Sequence, residues 1–137
     1  MAVVSRVRGA SSEVYREVDC LVDDDVGNCV YIRGDRAGEK WRVETADPTD
    51  DTKMPAAGVL ISKHDSTSGV MQLFGVCNLF TDMTPGQPVL VGTDGDLVDE
   101  VPVISVGDLF WAQQIGIAVA SDVLLLSGSQ RMMRYSS

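Results

Sequence analysis

Between Gly75 and Leu97 the chain reads GVCNLFTDMTPGQPVLVGTDGDL, and the turn chemistry in it leaves almost no room for a helix. Val76 to Phe80 is a short apolar segment with β-branched and aromatic character. Thr81, Asp82, Thr84, Pro85 and Gly86 are turn formers. Pro88 opens the run Val89-Leu90-Val91, and proline is tolerated as the first residue of a strand. Gly92-Thr93-Asp94-Gly95 predicts a tight hairpin turn, because Asp-Gly suits the positive φ such turns need. Leu97 and Val98 begin the return strand. The stretch predicts strand, corner, strand, hairpin, and it contains no nucleophile held beside a base.

The other apolar runs flank this stretch as if to pair with it. Met1 to Ser12 has small residues, two arginines and little period, and reads as an arm. Glu13 to Val22 alternates, with Val14, Arg16, Val18 and Cys20 on one face. A helix is conceivable there, but β-branched residues and tyrosine favour a strand. Asp23-Asp24-Asp25 reads as a solvated loop. Cys29–Arg33 and Trp41–Thr45 predict a hairpin around a charged turn at Asp35–Lys40. Ala46–Pro55 is the most loop-like piece. Ala57–Lys63 is a buried-type strand, His64–Gly69 a turn, and Val70–Leu79 a further strand. Val103–Val106, Phe110–Ala120 and Val123–Leu126 complete the series. Gly116 marks a bulge or a close backbone approach. Gly128–Ser137 reads as a polar tail. About nine short strands at roughly 8–12-residue spacing, with no helical period, predict an all-β fold: a small antiparallel barrel or sandwich. The chain divides into an arm (1–12), one β-domain (13–127) and a tail (128–137).

A length of 137 residues suffices for one domain with a real core. No segment approaches the roughly 18 apolar residues of a membrane-spanning helix, and the N-terminal stretch lacks the apolar region of a signal peptide. The three cysteines, Cys20, Cys29 and Cys77, have no CxxC spacing and share the chain with one histidine. They are expected to be small core residues of a protein made in a reducing cytoplasm, not zinc ligands. Net charge is −9. No lysine or arginine lies between His64 and Gln130, a span that holds eight carboxylates. Such a body repels phosphate backbones, so no direct nucleic-acid partner is expected. Both ends differ: Arg6 and Arg8 at one, Arg131 and Arg134 at the other, with no carboxylate at either.

Candidate chemistry is sparse. His64-Asp65-Ser66 has the letters of a triad, but consecutive turn residues cannot supply its geometry. Asp94 and Asp96 would act as acid and base only inside a cleft, and a hairpin tip explains them better. Asp47, Asp50 and Asp51, like Asp23–Asp25, lack the ligand spacing of a calcium loop. No phosphate-binding glycine loop is present. Trp41, Trp111 and Phe110 are scattered, so core is the expected place for them and not a base-stacking platform. Met132, Met133 and Tyr135 stand in an otherwise polar end, a pattern that fits either a partner surface or the core. No cofactor and no catalytic activity are expected.

The order GVLISK (58–63), GVCNLFTDMTPGQPVLVGTDGDL (75–97) and QQIGIAVASDVLLL (113–126) resembles the head decoration, or cement, proteins of tailed phages and the related β-modules of phage head fibres. The resemblance covers roughly Val30 to Leu126 and rests on a "TPGQPVxVGxDG" hairpin and a "QxIGxAxxxDxxLL" series. It implies a structural virion protein without catalytic residues, commonly a trimer at symmetry axes between hexamers, on the outer capsid surface. The implied partners are the major capsid protein and further copies of the chain. Residues 1–12 and 128–137 have no part in the matched series. Their charge and apolar content mark Val3, Val4, Arg6, Val7, Arg8, Arg131, Met132, Met133, Arg134 and Tyr135 as expected capsid or subunit contacts. The same module occurs in tail and fibre components, so an adaptor of tail, neck or fibre is the alternative. A small β-barrel hydrolase using His64 is the remaining one.

Overall fold

The computed structural model of the protein describes residues 13–37, 40–99, 109–127 and 132–136. Ten strands lie among them: β1 (Val14–Asp19), β2 (Cys29–Ala37), β3 (Lys40–Thr45), β4 (Ala56–Asp65), β5 (Ser68–Cys77), β6 (Pro88–Val91), β7 (Leu97–Val98), β8 (Leu109–Ala120), β9 (Val123–Leu126) and β10 (Met132–Ser136). The fold is all-β, with no helix of seven or more residues among the described residues. The expected strand at Val103–Val106 lies outside the described residues.

The first five strands close into a barrel. β2 pairs antiparallel with β3 and with β4, and β4 with β5. β1 then joins the ends, antiparallel to β5 and parallel to β3. Closure leaves the barrel without a free edge, which removes the usual template for edge-to-edge aggregation. Of barrel and sandwich, both open from the sequence, the barrel is the one formed. A second sheet grows from it, in the order β5-β9-β8-β6-β7, with β10 paired to β8. β5 belongs to both: Ser68–Phe74 pairs with β1, and Gly75–Cys77 with β9.

Two clusters of apolar side chains follow from this. Val18, Cys20, Val30, Val43, Leu60 and Met71 fill the barrel. Cys29, Val59, Val89, Ile115, Leu124 and Leu126 are among those between the barrel wall and the second sheet. β2 and β4 supply both, Val30 and Leu60 inward, Cys29 and Val59 outward. That is why β4 reads as a continuous apolar run and not an alternating one. All three cysteines are buried and unpaired. Of the face read as Val14, Arg16, Val18 and Cys20, Val18 and Cys20 (the latter just past β1) are buried, while Val14 and Arg16 are exposed. Gly116 is a close approach: a Cβ there would strike the Leu125 carbonyl oxygen across the β8–β9 pair.

Two local readings need correction. The hairpin between β6 and β7 forms, but its loop spans Gly92–Asp96, between the last pair Val91↔Leu97, and turns through a 3-10 turn at Thr93–Gly95. The polar C-terminal segment contains β10, in register Met132↔Gln113 through Ser136↔Leu109. The 12-residue β8 outruns β6 and β9, and its first half takes β10 as partner. Polarity alone concealed this, because backbone hydrogen bonds along a strand need no apolar side chain.

Candidate interaction surface

The carboxylates that invite a metal are engaged by their own turns. Asp47 Oδ1 accepts from Thr49 N at 3.0 Å and Thr49 Oγ1 at 2.7 Å. Asp50 Oδ1 does the same with Thr52, at 2.9 and 2.6 Å. Asp51 Oδ1 accepts from Trp111 Nε1 at 2.6 Å, fastening the β3–β4 loop to β8. Among the described residues no group of three or more potential ligands is arranged to hold a metal ion.

Asp24 departs from the solvated loop expected for Asp23–Asp25. It is 2% exposed. Its Oδ1 accepts from Thr45 N at 2.9 Å and Thr45 Oγ1 at 2.7 Å, and its Oδ2 from Leu21 N at 2.7 Å. The ammonium of Lys63 donates to the carbonyls of Leu21, Val22 and Asp24, at 3.3, 3.4 and 2.8 Å. A protein cation thus sits where this loop gathers its oxygens. Burying a carboxylate is costly unless it is fully hydrogen-bonded, and here three donors meet that need. The sequence signal was a lone Thr45 at a strand end, too common to single out.

Asp23, Asp25, Glu44, Asp47, Asp94 and Asp96 are among the residues lining an open groove of about 490 Å³, with Lys53 beside them. Glu44 also accepts a hydrogen bond from the Tyr31 hydroxyl. Burial, then that bond, pushes the Tyr31 phenol up to about 12.

The catalytic letters do not assemble. His64 lies exposed near the end of β4, not in the turn expected at His64–Gly69, which is confined to Ser66-Thr67, and its Nε2 is 4.0 Å from Glu17 Oε1. Burial raises the Cys20, Cys29 and Cys77 thiols above their ordinary value, the direction opposite to that of an activated thiolate. Trp41 is half-buried with the Arg16 guanidinium 4.2 Å from its ring centroid, so the chain's own cation covers that ring. Trp111 packs against the cluster under the second sheet.

The outer face of the second sheet is different in kind. Val76 pairs with Leu125, Leu125 with Ile117, and Ile117 with Pro88. Directly paired residues point to one face, so these four form an apolar row across β5, β9, β8 and β6. Val76, Leu125 and Ile117 are 39–43% exposed and Pro88 is exposed. Phe74 and Val119, two residues along their strands, extend the row and are also exposed. None of β5, β6, β8 or β9 contains a charged residue. Sequence reasoning missed this face because it read the span as acidic. The described carboxylates Asp82, Asp94, Asp96, Asp99 and Asp122 lie outside the strands, and β5, β6, β8 and β9 carry no charge.

Val3, Val4, Arg6, Val7, Arg8 and Arg131 lie outside the described residues. Met132, Met133, Arg134 and Tyr135 fall on β10, beside β8 and therefore on the sheet that carries the apolar face. Comparison with known proteins finds no matching family model, no matching curated protein and no matching solved structure.

Proposed function

We propose that this protein is a structural component of a tailed-phage virion, made in the host cytoplasm, that decorates the outer capsid surface as trimers and stabilises it by bridging capsomers. The observation that carries the reading is the apolar, charge-free sheet face on an acidic body. It is assembled from the segments that resemble decoration proteins: 75–97 contributes Val76 and Pro88, and 113–126 contributes Ile117, Val119 and Leu125. A surface of this kind supports docking on protein and not on nucleic acid. Thiols held up by burial, an exposed His64 and carboxylates engaged in turns support a role without catalysis. The partners in this reading are the major capsid protein and further copies of the chain. Arg6 and Arg8 meet carboxylates on the shell, and Val3, Val4 and Val7 add a strand to an exposed sheet edge there. Binding only to the assembled shell stabilises it by mass action.

Mixing the protein with undecorated expanded heads tests this. Saturable binding and a raised disruption temperature of the heads are expected. Deleting residues 1–12 should cut binding sharply while the β-domain stays folded; full occupancy by the truncated protein would remove the arm from the contact. Binding to tails or fibres but not to heads would replace decoration with an adaptor role.

A further inference from the structure

We infer that the face formed by Phe74, Val76, Pro88, Ile117, Val119 and Leu125 is where copies of this chain meet one another. The inference rests on the proposed function only for the number of copies, three around a common axis.

The argument begins with charge. The chain carries −9, and its described carboxylates lie in the loops and on the barrel strands β1, β2, β3 and β4, with none on β5, β6, β8 or β9. Two copies approaching by those surfaces repel. The outer face of the second sheet is a place where two copies can touch without setting carboxylate against carboxylate. The four strands that form the apolar row, β5, β6, β8 and β9, hold no charge of either sign. A basic partner is drawn to the acidic groove instead. What fits an uncharged apolar face is another uncharged apolar face, and the chain itself supplies one.

Area sets how tightly such copies hold. Side chains left about two-fifths to half exposed on this face and at the adjoining Val14, which pairs with Phe74, amount to on the order of 500 Å² per copy. That lies within the roughly 300–600 Å² of the largest apolar patch on a typical monomer and short of the roughly 800 Å² per partner of a standard interface, so a weak, dilution-sensitive contact is expected. Three copies turning the face to one axis bury each against two neighbours, with exposed Asn78 and Ser127 next along the chain as polar rim. The face is on show from the moment the chain folds, before any shell exists to cover it. Its occupant must therefore be present from the start, and other copies are.

Analytical ultracentrifugation across a hundredfold concentration range, with Leu125→Glu and Ile117→Lys as variants, decides the matter. Both positions are exposed, so circular dichroism should match the parent. The parent should sediment as an oligomer that dissociates on dilution. Each variant should raise the dissociation constant more than tenfold. A parent that stays monomeric throughout, or variants that associate as well as the parent, would overturn the inference. A monomeric parent whose variants lose head binding would give the face to the capsid protein instead. Self-association through this face without head binding would leave the inference standing and remove the decoration reading.

Discussion

The side-chain amide of Gln113 hydrogen-bonds both backbone groups of Ala56, accepting from its N–H at 2.8 Å and donating to its carbonyl at 2.7 Å. Gln113 is fully buried, and it joins β8 to β4 as a neighbouring strand would. The second sheet is thereby fixed to the barrel wall by one side chain acting as backbone. Replacing Gln113 with leucine, of similar size, strands the Ala56 N–H and carbonyl in an apolar setting. Each such group costs about 1–3 kcal/mol. The expected loss is about 3 kcal/mol, read by urea denaturation, with a fall in Tm of roughly 10 °C. An unchanged midpoint would mean that water reaches those groups.

Gly95 should not tolerate valine. Its φ is +76°, where a β-branched residue is strained. A Cβ there would also stand 2.6 Å from Thr45 Cγ2 and 3.0 Å from the Cys29 carbonyl oxygen. Strain alone costs on the order of 1–3 kcal/mol, and the contact with β2 and β3 adds to it. Gly95→Ala separates the two, because it keeps the clash and lessens the branching. Both should lower the denaturation midpoint, valine more.

Asp24→Ala removes the acceptor for the Leu21 and Thr45 N–H groups at once. Loss of a buried, charge-assisted set of this kind is expected to cost about 2–4 kcal/mol. Lys63→Met should cost less, since the three carbonyls it serves are partly reachable by solvent. The double variant should fall short of the sum, because the two side chains hold the same loop. Strict additivity would show that they act separately.

The all-β class, nearly every strand centre and the interior face of β1 were legible, because period and turn chemistry act locally. Val18 and Cys20 alternate as the wall of a barrel requires. What stayed hidden depends on distant partners. Asp24 looks like its neighbours Asp23 and Asp25 until Thr45 arrives from another strand. Leu125 sits between two leucines that are buried, and only its register with Val76 and Ile117 shows that it faces outward. The strand at Met132–Ser136 needs the unpaired half of β8 to exist at all. The sequence nominated the two ends as contacts on charge, while the face came from the middle of the chain.

Two Asp-x-Thr turns of one design should titrate by different means. Asp50 is held below its ordinary 3.8 first by the Thr52 hydroxyl and then by the Thr52 N–H. Asp65 is held below 3.8 first by the Thr67 N–H, with the Thr67 hydroxyl the smallest of the contributions. The geometry agrees: the hydroxyl lies 2.6 Å from Asp50 Oδ1 but 3.5 Å from Asp65 Oδ1. Thr52→Val should therefore raise the Asp50 pKa clearly, and Thr67→Val should move that of Asp65 little. Side-chain carboxyl carbon shifts followed by NMR between pH 2 and 6 report both. The sign for stability follows from the lowered values. A carboxyl that is more acidic folded than unfolded contributes stability that is present above its unfolded pKa. That contribution fades as pH falls through the folded pKa, so both turns stabilise the protein above about pH 4 and cease to do so in stronger acid. Thr52→Val should flatten the acid limb of the stability profile while Thr67→Val leaves it nearly as steep. No shift at either Asp50 or Asp65 would show that the backbone N–H, common to both turns, does the work in each, and equal upward shifts would show that the two hydroxyls contribute alike.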